Sequence, residues 1–178
     1  AVALPFVSFF FSFAISEKYS WIVSFSAPLL LLLSTAAAAV VFYATWNNLP
    51  FSIQWNWFTC AGYTFTGGVL LNNVSSLMLL LVTFISFIIH SYSTAYMAGD
   101  SDFRQYFAML GFFTFSMLGI VIADNLLLLF IFWELVGFSS YMLIGHWREK
   151  PEAADAAKRA FLYNRVGDIG FLIGLMIL

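Results

Sequence analysis

The sequence predicts an all-α protein that crosses a membrane several times. Three observations lead there. The chain is 62% hydrophobic with only 9% charged residues and a mean hydropathy of +0.92. Its apolar residues fall into successive runs, most of them about 20 residues long, and such a run wound as an α-helix spans a hydrocarbon core of roughly 30 Å. The charges gather between the runs, with few inside them.

The first run, 1–16, has no basic residue ahead of it and ends at Glu17 and Lys18 without a small-residue cleavage signal, so it reads as a span and not as a signal peptide. The second covers 21–45. The connection that follows, WNNLPFSIQWNWFTCAGYTFTGG, carries no charge and mixes aromatics, β-branched residues and turn formers in partial alternation. That pattern predicts a short hairpin at the outer interface, with Trp46, Trp55 and Trp57 as belt aromatics. It closes an N-terminal section, 1–68, of two helices and the outer hairpin; a second section, 69–178, holds the rest. Spans three to six are predicted over 69–93, 105–122, 126–145 and from 158 onward. Asp124, at the turn before the fifth span, is the expected cap of the helix that follows. REKPEAADAAKRA places Pro151 ahead of an alanine-rich charged stretch with acids before bases, the expected start of a solvated helix leading into the sixth span. The chain begins without Met and its last residue, Leu178, falls inside an apolar segment, which suggests a piece of a longer protein.

Alternating spans put the connections at 17–18, 99–104 and 146–159 on one side, with Lys18, Arg104, Arg148, Lys150, Lys158 and Arg159. The other side, 46–68 and 123–125, has no basic residue, so the first set is expected to be cytoplasmic. A net charge of -2 leaves no basic face for nucleic acid, and one cysteine, Cys60, makes neither an internal disulfide nor a cysteine-ligated cluster. No pair of histidines is set within spans to bracket a haem, and neither a glycine-rich phosphate loop nor a serine with a plausible base is present. What remains is proton handling.

Glu134 stands near the middle of the fifth run, about nine residues from Asn125 and about eleven from Gly145, hence roughly 14 to 17 Å from either end. An ionised acid at that depth costs several kcal/mol unless it faces protein or water, finds a cation or holds a proton. Each outcome makes it a candidate proton carrier; the plainer reading is a protonated acid bonding a neighbouring helix. In the sixth run Lys158, Arg165 and Asp168 recur at spacings of seven and three and share one stripe. Arg165 can pair with Asp168 within the helix, either as a structural lock or as part of a relay. Along the third run Asn72, Ser76, Thr83, Ser86, His90 and Ser93 form a polar face. The hydroxyls are expected to bond back to their own helix and permit close packing. His90, near the cytoplasmic end, is either an interfacial residue or a relay, since imidazole is the side-chain type that titrates near neutral pH.

FIIHSYSTAYM, ADNLLLLFIFWELVG, SSYMLIG and KRAFLYNRVGDIGF, in that order, resemble the largest antiporter-like membrane subunit of proton-pumping NADH:quinone oxidoreductase, respiratory complex I. The resemblance runs from about Asn72 to Leu178; before that only the hydropathy and the outer hairpin match. It implies a larger antiporter-like helical bundle with inverted repeats, in which Glu134 is the glutamate of a buried glutamate-lysine pair whose lysine lies beyond Leu178. Arg165 and Asp168 match the acid and base of the family's sixth helix, and His90 matches a histidine late in its third. It further implies a proton-translocating subunit without a cofactor of its own, with NADH, FMN, iron-sulfur clusters and quinone on other subunits. The partners it implies are other membrane subunits, especially a paralogous antiporter-like one, besides lipid and protons. Loop composition looks like that of a bacterial inner membrane protein more than a mitochondrial one. The same motifs occur in the large subunit of multisubunit sodium/proton antiporters and in membrane subunits of energy-converting hydrogenases and bicarbonate-accumulating complexes. A reading of another class is a structural membrane scaffold in which Glu134 and Asp168 only lock helices together.

Overall fold

Where apolar runs meet polar junctions, backbone groups that lipid cannot satisfy are closed into helices. A computed structural model describes residues 1–16, 19–46, 50–60 and 63–177. Among the described residues six helices and one hairpin follow in the order expected: α1 (Ala3–Ala14), α2 (Ser20–Thr45), β1 (Phe51–Cys60), β2 (Tyr63–Leu71), α3 (Asn73–Tyr96), α4 (Phe103–Ile122), α5 (Leu126–Ile144) and α6 (Pro151–Ile177). Helices α2 to α6 are long and apolar enough to cross a membrane. At 12 residues, α1 is about 18 Å long and shorter than the 1–16 span expected. The part of the orientation reading that rests on Glu17 and Lys18 lies outside the described residues.

The hairpin is antiparallel, pairing Phe51 with Leu71 through Cys60 with Tyr63, and a bulge between Asn56 and Phe58 breaks the register. Trp46, Trp55 and Trp57 are about half exposed, as belt aromatics are. Pairing carries β2 on to Leu71, so the third helix starts at Asn73 and the division expected at 68/69 falls inside a strand. Asn72 and Ser75 form a reciprocal capping box that fixes this start. The fifth helix is capped by Asn125, whose Oδ1 accepts from Leu128 N at 2.8 Å, and not by Asp124. Asp124 instead accepts from Asn125 Nδ2 at 2.9 Å, and the same Nδ2 group donates to Thr66 O at 2.7 Å. A bridge between Val69 and Ala123 completes the junction between the hairpin and the α4–α5 turn. A side chain at Gly68 would collide with the Asp124 carboxylate and sit 2.8 Å from Ile53 O, so the close approach needs glycine. The sixth helix begins at Pro151, so the charged start and the apolar span are one helix of 27 residues.

Two apolar layers hold α1 to α4 together. Val23, Ala27, Met97, Phe103 and Phe107 pack at the end opposite the hairpin, and Ala38, Leu79 and Leu118 pack at the hairpin end with Leu71 and Val121 around them. Helix α2 supplies its face at Val23, Ala27, Leu31, Ser34 and Ala38, spaced three or four apart. Helix α3 is turned inside out relative to a water-soluble helix: Ser75, Ser76, Thr83, His90 and Ser93 are buried while Leu77, Phe84, Ile85 and Ile88 lie outward. Lipid solvates the apolar face, so the hydroxyls are left for the helix interface, where Thr83 bonds back to Leu79 O at 2.8 Å as expected. Helix α1 lies on α4 at Gly111, where an added Cβ would stand 3.1 Å from Pro5 O. The Phe132 side chain of α5 sits so closely on Gly119 of α4 that a side chain there would overlap the ring.

Candidate functional site

Helices α5 and α6 form an antiparallel pair joined by a short turn. Gly145 meets Ala157, the ring of Tyr141 meets that of Phe161 at 5.4 Å, and Phe130 stacks on Phe171 at 5.4 Å. This register brings Trp133 and Glu134 level with Asp168. Trp133 Nε1 donates to Asp168 Oδ1 at 2.9 Å. Arg165, about one turn before Asp168, reaches across and donates from Nη1 to Glu134 Oε2. Its distance to Asp168 Oδ2 is 3.8 Å, so the intrahelical pair expected from the sequence exists but is the looser of the two. The guanidinium also lies 4.8 Å over the Phe161 ring, which fixes its plane.

One cation therefore stands between two carboxylates. Side-chain exposure falls from 42% at Arg165 to 22% at Glu134 and 10% at Asp168, so the acids are more enclosed than the base. Fully ionised, the trio carries a net charge of minus one, and a proton or a further cation would balance it. The sequence reading placed Glu134 in search of a partner beyond Leu178 and kept Arg165 for Asp168; the Arg165–Glu134 contact was missed. The signal for it was present. A short turn between two long helices forces antiparallel packing, and counting outward from that turn sets Glu134 opposite the NRVGD segment.

Lys158 does not join the trio. It lies two turns away, 3.7 Å from Asp155, and both side chains are more than three-fifths exposed. His90 is fully buried between α3 and α4, with Nδ1 2.8 Å from Ser86 O and its ring 6.0 Å from that of Phe107. Among the described residues no three His, Cys, Asp or Glu side chains gather as a metal site.

A family model described as NADH-Ubiquinone oxidoreductase (complex I), chain 5 N-terminus, matches residues 57–107, which include His90. A second, described as NADH:quinone oxidoreductase/Mrp antiporter, TM, matches residues 123–178, which include Glu134, Lys158, Arg165 and Asp168. The chain is 39% identical over 150 residues to the chloroplastic NAD(P)H-quinone oxidoreductase subunit 5 of Physcomitrium patens, covering 82% of this chain and 21% of that protein. To the corresponding protein of Draba nemorosa it is 45% identical over 122 residues, covering 68% of this chain and 16% of that one. The chain thus spans about a fifth of the length of these relatives. In fold it is similar to a chain of the archaeal membrane-bound sulfane sulfur reductase complex, with a TM-score of 0.79 and 20% identity over 97% of this chain and 35% of that one. It is likewise similar to a chain of the Mrp complex from Dietzia sp. DQ12-45-1b, with a TM-score of 0.76 and 21% identity, covering 96% of this chain and 18% of that one.

Proposed function

Because the chain belongs to the family of antiporter-like membrane subunits that includes chain 5 of complex I, we propose that it is part of a proton-translocating subunit of an NADH:quinone oxidoreductase. In this reading electron transfer takes place on other subunits, which hold the FMN, the iron-sulfur clusters and the quinone, and this chain moves protons. Its neighbours would be other membrane subunits, foremost a paralogous antiporter-like one.

The observation that carries the reading is the shared guanidinium. Arg165 bridges Glu134 in α5 and Asp168 in α6, leaving one negative charge over at mid-membrane depth. A carboxylate so placed modulates the proton affinity of any group brought beside it, because an opposite charge within about 4 to 6 Å shifts a pKa by about one to three units. A lysine arriving from the rest of the chain would complete the balance, and protonating one acid would release it again. His90 serves as a second, separate relay position, and Lys158, exposed at the α6 entrance, would at most collect charge there.

The test is Glu134→Gln, which keeps volume and most hydrogen bonding but removes the charge and the titratable proton. NADH-driven proton uptake into inverted vesicles, normalised to the assembled complex on a native gel, is expected to fall severalfold, with Glu134→Asp retaining more. Normal pumping by an assembled Gln variant would defeat the assignment and favour a scaffold. A second reading has its own support, since the description of the model matching 123–178 also names the Mrp antiporter; it predicts sodium-dependent transport without NADH. For the compartment, loop composition favours a bacterial inner membrane, while the named relatives are chloroplastic.

A further inference from the structure

The α3–α4 interface contains a polar thread that the Glu134 trio does not use. At the end away from the hairpin, Asp100 is the hub of a small network. It accepts from Trp147 Nε1 at 2.9 Å and from Asp102 N at 2.8 Å, and its Oδ1 lies 3.3 Å from His146 Nε2. These residues border a cleft of about 280 Å³, lined also by Gln105, Arg148, Glu149 and Lys150. Behind the cleft the His146 ring meets the edge of Tyr106 at 5.3 Å, and Tyr106 Oη lies 3.3 Å from Ser93 Oγ. One turn further along the buried face of α3 comes His90, and one turn beyond that Ser86, whose Oγ is 3.0 Å from Thr114 Oγ1.

His90 gives the thread a direction. Its Nδ1 lies 2.8 Å from a backbone carbonyl, Ser86 O, which can only accept, so Nδ1 carries the hydrogen in the neutral ring. Nε2 is then a bare acceptor, and it is buried with no hydrogen-bond partner in the protein. Buried acceptors of this kind are normally served by water.

We propose that the α3–α4 interface is a proton-admission path, running from the Asp100–His146 pair at the surface through the hydroxyls of Tyr106 and Ser93 to Nε2 of His90. It rests on the proton-transport reading but not on Glu134. Each hydroxyl accepts one proton as it gives up another, so neither becomes charged; water bridges the imidazole of His146 to Tyr106 and Ser93 to His90. Each relay step breaks one O–H bond as it forms another, so the net change is one proton taken from bulk water by His146 and one gained at Nε2 of His90. Asp100 holds the entry imidazole in place, and its acidic side, with Glu149 and Asp102 nearby, favours positive charge at the mouth; Arg148 and Lys150 oppose it.

The experiment uses inverted vesicles carrying the assembled complex, whose cleft side faces the medium, with NADH as the electron donor. Proton uptake is followed from about pH 6 to about pH 9, over which the bulk proton concentration falls about a thousandfold. Tyr106→Phe keeps the ring packing and removes only the hydroxyl; His146→Phe removes the entry imidazole. Both are expected to show a deficit that grows with pH to at least about threefold, and added imidazole buffer restores His146→Phe. A deficit independent of pH and untouched by imidazole marks a structural staple and overturns the path, as does normal uptake by both variants. If His146→Phe fails to assemble, Tyr106→Phe and Ser93→Ala decide by the same pH profile. Glu134→Gln run alongside separates the two ideas: its normal pumping would sink the trio's role, and pH-insensitive uptake in the Tyr106 variant would sink the path alone.

Discussion

Arg165 is the residue whose removal has the widest effect. Replacing it with leucine leaves two enclosed acids facing each other, while Glu134→Gln leaves Arg165 with Asp168 only. The two changes made together are expected to cost less than their sum, with a coupling of about 1 to 3 kcal/mol, as for groups that share one contact. Thermal midpoints of the purified complex, measured for both singles and the double, check it; strict additivity would mean that the contact has no energetic content. Trp133→Phe, which keeps a ring and drops the donor to Asp168, is expected to weaken the trio less. At this scale the sequence was partly legible. Glu134, Arg165, Asp168 and His90 stood out because polar groups are rare in apolar runs, and the burial of Asp168 and His90 followed from lipid being the alternative. Which acid Arg165 would hold depends on helix register, which only a count outward from the α5–α6 turn reveals, and Lys158 was grouped with Arg165 and Asp168 by periodicity although its position near the helix start leaves it exposed.

The elements report how junctions are made. Asn125 caps α5 and also holds the hairpin through Thr66, so Asn125→Ala is expected to lower stability by about 1 kcal/mol for the cap alone, with a further loss at the hairpin. Gly68→Ala, forced against Asp124 and Ile53 O, is expected to cost about 1 to 3 kcal/mol. Denaturation of the purified protein in mixed detergent would rank the two, and a neutral Gly68→Ala would contradict the packing described. On the opposite face, burial pushes the Asp100 carboxyl up, but hydrogen bonds from Trp147, the Asp102 amide and His146 outweigh it and hold it below its usual value of 3.8. A carboxyl depressed in the folded state stabilises above its unfolded pKa and loses that contribution as pH falls through the folded one. Protection of the 97–102 amides against hydrogen exchange, relative to an Asp100→Asn reference, is therefore expected to persist at neutral pH and to vanish in acid below the ordinary carboxylate range. The hairpin and the five long helices could be read from alternation and apolar run length. Their ends could not: Asn125 took the cap from Asp124 because its amide also reaches Thr66, and strand pairing carried β2 to Leu71 past the expected helix start.

At the scale of the whole molecule, the described parts of the connections fall at two ends. The hairpin, Asn72 and the 123–125 turn lie together, tied by Val69–Ala123 and Asn125–Thr66. At the other end Asp100 holds His146 and Trp147, and Arg104 donates to Ile15 O. With Cys60 replaced, a cysteine at position 153 is expected to react with a membrane-impermeant reagent in inverted vesicles and not in intact cells; labelling from outside would reverse the orientation. The seating of Phe132 on Gly119 has a mechanical consequence. Turning α5 about its axis would require lifting that ring out of α4, so Glu134, two residues further on, is indexed to the body formed by α1 to α4. Helix α6 is attached to that body through α5, where Ala157 seats on Gly145, Phe161 lies against Tyr141 and Phe171 stacks on Phe130. Any sliding of α6 along α5 would move Arg165 relative to Glu134, so the length of that ion pair works as a gauge of how the two helices are aligned.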